Sequence, residues 1–491
     1  MPASISKYLL AAALALASAG AQRCDSCHAE IVKRYLQTPM ARSVGGRPPA
    51  AGADFLHAQS SSTMRAGNGN GRMTHSVTRD GITANYPVDL AIGSGRVGQS
   101  YAVRIHGDLF QSPISWYKQA MRWGISPGFE QERHPDFDRP ITNSCLFCHS
   151  TPSPSGPAAI GCERCHGDGS RHAASPSKAN IIQPARLPTE RRDAVCEQCH
   201  LQGVARVLQP NKRESDYVPG MALEEIFSTF VQLQADFRVV SHSEQLSQSA
   251  CARSSEGRLW CGSCHDPHPI KETAKASHQQ RCEACHPGVK AKHQGPAEDC
   301  VGCHMPRRPV SDVAHTTYTD HRIARRANAS SLPAISLQLK AWRPAENGDR
   351  ALALAYAALG NLEAANSLMA KLLPQRTRDV ELLVSAGSVA LGLKRPVEAL
   401  RHFTAARMLE PGIADHYFRV GLAHEANQEI QKAMGDYRQA LIRNPAHFDS
   451  TARLAIIERK NGDLDAYRRT LEAFLKTSPQ NISVRKLLAD K

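Results

Sequence analysis

The sequence predicts a mainly α chain in two parts: short helices and loops organised around cysteine motifs, followed by an α-solenoid of paired helices. Three observations predict it. C-x-x-C-H occurs seven times between Cys24 and His304. Aromatic residues are only 5% of 491, so an ordinary apolar core is thin. Small residues recur with a period of 34 between Gly387 and Pro445.

The motifs come first in the chain. They are Cys24-Cys27-His28, Cys145-Cys148-His149, Cys162-Cys165-His166, Cys196-Cys199-His200, Cys261-Cys264-His265, Cys282-Cys285-His286 and Cys300-Cys303-His304, and they leave only Cys251 of the fifteen cysteines. C-x-x-C-H is the attachment sequence of c-type haem. Two thiols bond the porphyrin edge and the histidine meets the iron. On a helical turn, residues i, i+3 and i+4 share one side. A zinc ribbon does not need the trailing histidine. A thioredoxin-like motif occurs once, and iron–sulfur sites use longer cysteine runs. Seven covalent haem c groups are therefore expected, with the seven histidines as proximal ligands. Porphyrins would fill much of the missing core, leaving little need for sheet.

Compartment follows. Residues 1–21 combine one lysine, an apolar run from Tyr8 to Ala17 and small residues at Ala19 and Ala21. That pattern predicts a secretory signal, too short to span a bilayer. The mature chain is expected in the periplasm or outside the cell, where thioether-bound cysteines are safe from oxidation. The net charge of +14 does not indicate nucleic acid. The basic residues are scattered, export removes that partner, and haem propionates would offset the charge.

Each iron also invites a ligand on its other face. His268 lies three residues after His265 in CGSCHDPH. Three residues reach about 10 Å, too short to round the macrocycle, so His268 is expected to serve a neighbouring haem. Other histidines outside the motifs and before residue 330 are His57, His75, His106, His134, His172, His242, His278, His293, His315 and His321.

Several stretches resemble the secreted multihaem cytochromes related to the ammonia-oxidiser tetrahaem cytochrome and cytochrome c nitrite reductase. The resemblance extends to a bacterial subgroup that joins such a domain to tetratricopeptide repeats. It rests on CDSCHAEIVKRYLQTPMARS, GSGRVGQSY, SWYKQAMRWGISPGFE, CERCHGDGSRH, SHSEQLSQSAC, CGSCHDPH, CVGCHMP and YTDHRIAR. It implies His172, His268 and His321 as distal ligands, with His57, His242, His293 and His315 as weaker carry-overs. Met40 stands where relatives often carry a histidine, and is either a thioether ligand or packing. Val97 stands near another such position, which leaves one iron open to five-coordination. Nitrite reductases of this group use C-x-x-C-K at the catalytic haem, and no such variant occurs here.

Residues 22–325 are thus expected as the haem domain and 326–345 as a basic, Pro/Ser-containing linker. Beyond it, Gly387, Ala399, Phe403, Ala406 and Pro411 recur as Gly421, Ala433, Tyr437, Ala440 and Pro445. Ala455, Leu471, Phe474 and Pro479 continue the pattern, and Tyr356, Gly360 and Ala365 precede it. A 34-residue period of this kind is the tetratricopeptide pattern, about four repeats over 346–481, with 482–491 as a tail. His402, His416, His424 and His447 fall inside it as surface or packing residues. Cys251 is expected to be inert and buried, with an intermolecular disulfide as the alternative.

The expected function is electron transfer along covalently bound haems between redox partner proteins, with the repeats docking a protein. Two alternatives stand beside it: a reductase of a small nitrogen or sulfur oxyanion at one open haem, and a self-associating extracellular haem wire.

Overall fold

The computed structural model describes residues 19–45, 52–69, 71–153, 156–232, 237–269, 274–289, 293, 299–324 and 338–490. The segment 1–18 of the expected signal and most of the expected linker lie outside the described residues.

The first correction concerns fold class. A mainly α chain was expected, yet the region between the first two motifs is a β domain. Strands β1 (Ala53–His57), β2 (Ser62–Gly69), β3 (Arg72–Arg79), β4 (Ile82–Ile92), β5 (Gly98–Ile105), β6 (Asp108–Gln111), β7 (Ile114–Tyr117) and β8 (Arg122–Ile125) form one antiparallel sheet. Its order is β1-β2-β3-β4-β5-β7-β8, with β6 also on β5, and β8 comes back against β1 to nearly close it. Side chains alternate in and out along each strand. Met64, Ala66, Val77, Ala84 and Tyr86 point inward, but so do Ser62, His75 and Arg79. Polar residues inside and threonines outside hide the alternation from hydropathy. The turns carry the missed signal. Asp80 and Gly81 between β3 and β4 both have positive φ (53° and 76°), as have His106 and Gly107 between β5 and β6 (48° and 96°). Two successive positive φ values make the tight turn whose twist matches a hairpin.

After the sheet short helices appear, and those at Asn143–His149, Glu163–His166, Thr189–His200, Cys261–Cys264, Ala274–Cys285 and Cys300–His304 carry cysteine-motif residues. A small sheet joins β9 (Ala205–Leu208) and β10 (Phe227–Val231). Lys340–Ala341 adds its third strand, pairing with Phe230 and Val231. The end of the expected linker is therefore a fixed seam.

Residues 348–475 fold as four helix pairs. Helices begin at Val380, Ala414 and Phe448, and their partners at Pro396, Ile430 and Leu464, in steps of 34. The small positions do what the pattern required. A Cβ on Gly421 would lie 2.5 Å from the Tyr437 ring, and Gly387 meets Phe403 in the same way. At the solenoid's root Arg350 bridges Asp379 (2.6 Å) and Glu381 (2.7 Å) and donates to the Leu208 carbonyl (3.1 Å).

The expected tail is also ordered. Helix Ile482–Ala489 docks on the β domain, with Ile482 fully buried among Met64, Val77, Tyr86 and Phe137. Both ends of the solenoid are thus held by the cysteine-rich half and its sheet.

Candidate functional site

The motifs sit on single helical turns. His166, His265 and His286 each donate their backbone N–H to the carbonyl of the first cysteine of their motif, at 2.9, 2.8 and 2.9 Å. That bond sets both thiols and the imidazole on one side of the turn. In the first motif the helix Ala19–Tyr35 kinks at His28. The fourth motif ends a longer helix, Thr189–His200. No two described cysteines are joined by a disulfide.

The rings then pair across the chain. His28 faces His172 with centroids 6.2 Å apart and planes 10° from parallel. His166 faces His268 at 6.0 Å and 25°. His265 faces His321 at 6.1 Å and 33°, and His304 faces His293 at 6.1 Å and 84°. His200 and His242 lie closer, 5.1 Å at 79°. Two imidazole nitrogens bonded in line to one metal at about 2 Å each hold their ring centres about 6 Å apart. Four of the pairs have that separation. His268 meets His166 of the third motif and not His265 of its own.

Nδ1 bonds orient several of these rings. His166 donates to the Ile182 carbonyl (2.8 Å) and His304 to Ala324 (2.7 Å). His172 donates to Ser177 (3.0 Å) and His321 to Thr319 (2.9 Å). Fixing the proton on Nδ1 leaves Nε2 bare, the tautomer a metal takes. Burial pushes the pKa of His200, His268 and His321 down, and that of His242 to about 3. Neighbouring imidazoles add to this at His242. Burial lowers His149 likewise, although the residue keeps solvent contact. Neutral imidazoles are the form that coordinates.

Other candidates lie elsewhere. His57 has both nitrogens engaged, Nδ1 with Ser60 Oγ (2.8 Å) and Nε2 with the Glu130 carbonyl (3.2 Å). His315 packs edge-on to Tyr117, and Met40 is half-buried in a short 3-10 turn. His75 is sealed in the β-sheet core. Among the described residues no second imidazole pairs with His149 or His286. His278 was not singled out as a ligand, yet its ring lies 5.1 Å from that of His265. Its place one turn before Cys282 on helix Ala274–Cys285 was the available signal.

Thiol contacts order the motifs in space. Cys24 meets Cys162, Cys148 meets Cys199, Cys196 meets Cys261, and Cys282 meets Cys300. Cys165 is within electrostatic reach of Cys196, and Cys264 of Cys285. The sequence of neighbours is first, third, fourth, fifth, sixth, seventh, with the second branching from the fourth. Cys251 lies within reach of Cys264 and Cys282.

Among the described residues no group of three or more His, Cys, Asp or Glu is arranged to hold an ion by itself. The ring pairs offer two ligands each, which suits an iron whose other four come from a porphyrin. The residues fit the group the motifs imply. No described helix is long and apolar enough to cross a membrane.

No family model matches the chain, and no curated protein matches it. Solved structures resemble its repeats. MamA from Desulfovibrio magneticus RS-1 is 22% identical over 28% of this chain and 75% of its own, with a TM-score of 0.25. A thermophilic TPR protein of Thermus thermophilus is 20% identical over 29% of this chain and 78% of its own, TM-score 0.25. The first TPR of Spaghetti (RPAP3), bound to an HSP90 peptide, is 23% identical over 23% of this chain and 91% of its own, TM-score 0.23. These likenesses each span less than a third of the chain.

Proposed function

We propose that the chain is an exported heptahaem c-type cytochrome that relays electrons between protein partners, with its repeat solenoid as a docking scaffold. The reading is carried by the facing of motif histidines with histidines from distant segments, His28 with His172 and His166 with His268, at the separation one metal needs. Haem c supplies one-electron chemistry when bound. The chain's own residues do the rest. Cysteine pairs fix each porphyrin edge. The Nδ1–carbonyl bonds strengthen the donor character of His166, His172, His304 and His321. The neighbour order gives a relay from the first motif to the seventh, with a side branch at the second, and hence three ends at which partners could exchange electrons.

The test is maturation in a bacterial host that attaches haem c in the periplasm. Intact mass should rise by seven haems above the chain cleaved after Ala19 or Ala21. Electron paramagnetic resonance should show rhombic low-spin signals from the near-parallel ring pairs. The steeply inclined pairs should add strongly anisotropic ones. A haem-free mass, or disulfides joining Cys24 to Cys162 or Cys148 to Cys199, sinks the reading.

A second reading rests on His149 and His286, which have no facing imidazole among the described residues. An open iron at either would allow reduction of a small nitrogen or sulfur oxyanion. A high-spin signal that shifts on adding nitrite or hydroxylamine supports it, and a wholly low-spin spectrum removes it.

A further inference from the structure

The fourth motif is joined to the root of the repeat domain by a buried ion pair. Glu197 lies inside Cys196-Glu197-Gln198-Cys199-His200 and is 4% exposed. Arg343 grips it through two bonds, Nη1 to Oε2 at 2.6 Å and Nη2 to Oε1 at 3.0 Å. The Trp342 indole adds a third, to Oε1 at 3.1 Å. Arg343 also reaches Glu224 at 3.3 Å. Both Trp342 and Arg343 directly follow the strand Lys340–Ala341 and precede the first solenoid helix.

The same helix end is held from below. Arg206 donates to the carbonyls of Gln198 (3.0 Å) and Glu197 (3.2 Å), and to that of Leu201. Arg343 and Arg206 therefore stand with Glu197 and Glu224 around the fourth motif, and Arg164 and Asp193 act on its two thiols, three charges of each sign. A carboxylate in this position has electrical reach: Glu197 already acts on the Cys261 thiol of the fifth motif. The fourth motif is also the branch point of the neighbour order.

We propose that Glu197 and Arg343 are positioning residues that set the reduction potential of the fourth haem, making the seam that leads into the repeat domain part of that redox centre. The proposal rests on the heptahaem reading. Removing Arg343 leaves a buried negative charge that favours the ferric state. Removing the charge of Glu197 leaves a positive one that favours the ferrous state. At an effective dielectric constant of about 20, a unit charge about 10 Å from a one-electron centre would change its reduction equilibrium by roughly tenfold.

The experiment is a potentiometric titration of the full mature protein at pH 8, comparing wild type, Arg343→Met, Arg343→Lys and Glu197→Gln. Haem number is checked by mass in each. Arg343→Met should lower one midpoint by about tenfold in equilibrium constant, and Glu197→Gln should raise the same one. Arg343→Lys, which keeps the charge, should stay close to wild type. If Arg343→Met does not fold, the upward shift in Glu197→Gln carries the test alone. Unchanged midpoints in variants that hold seven haems overturn the proposal, as do equal shifts in Arg343→Met and Arg343→Lys. A wild type without haem overturns the heptahaem reading instead.

Discussion

Ile482→Ala tests how the last helix is held. Ile482 is 0% exposed and completes the core formed by Met64, Val77, Tyr86 and Phe137. Its backbone N–H donates to Asp136 Oδ2 at 2.7 Å, a bond the substitution keeps. The surrounding grips are mostly exposed. Gln480 and Asn85 exchange two bonds at 2.7 and 2.9 Å, and Arg485 donates to the Thr83 carbonyl at 2.7 Å. The Lys486–Asp80 pair, open to solvent, contributes little. The buried isoleucine therefore dominates. Truncating it in a sheet core that cannot collapse costs about 2–4 kcal/mol. Hydrogen exchange followed by mass spectrometry reads this directly. Amides in 74–87 and 480–489 should exchange about 30- to 1,000-fold faster, while helices of 414–443 stay protected. Unchanged exchange in both segments refutes the docking. Loosening spread evenly through the solenoid refutes the claim that the contact is local.

Gly421→Ala should lower stability by about 1–3 kcal/mol, because its Cβ meets the buried Tyr437 ring. Gly435→Ala, in open space on the next helix, should raise it by about 0.5–1 kcal/mol; thermal unfolding of both variants checks the repeat packing. His75 is pushed to about 3 by burial, so the unfolded chain takes up a proton below about 6.5 that the folded sheet refuses. Stability of the β domain should therefore fall as pH drops from 6.5 toward 3, by about 2 kcal/mol at pH 5. His75→Gln should flatten that slope in exchange measurements at pH 7.5 and 5, and an identical slope rejects the assignment. If the heptahaem proposal holds, His172→Ala should turn one haem high-spin in the resonance spectrum. His57→Ala should not, since both its ring nitrogens are already bonded.

Local chemistry was the most legible part of the sequence. A C-x-x-C-H turn is specified by residues within one helical turn, and the structure folds it that way at His166, His265 and His286. The solenoid was legible because its spacing is imposed by contacts such as Gly387 with Phe403. The sheet was not, because Ser62, His75 and Arg79 occupy inward positions where an apolar residue would have revealed the alternation. Asp80-Gly81 was a readable hairpin turn, overshadowed by the expectation that porphyrins replace the core. The ring partners were only partly legible. His268 was excluded from its own motif by chain length, but no local rule pairs it with His166, about a hundred residues upstream. The docking of 482–489 on strands hundreds of residues earlier depends on tertiary contact alone.

That docking bears on how the molecule is made. A core begun at Met64 is finished by Ile482, so the chain between them must be made before the barrel-like sheet can seal. Closing so long a loop costs only modestly more than closing a short one, but it is slow. Cleavage of the chain just ahead of Ile482 would leave an unsealed sheet with apolar side chains facing water. Helix Ile482–Ala489 thereby acts as a latch on the sheet, and the outer end of the repeat array is already taken by the protein's own β domain.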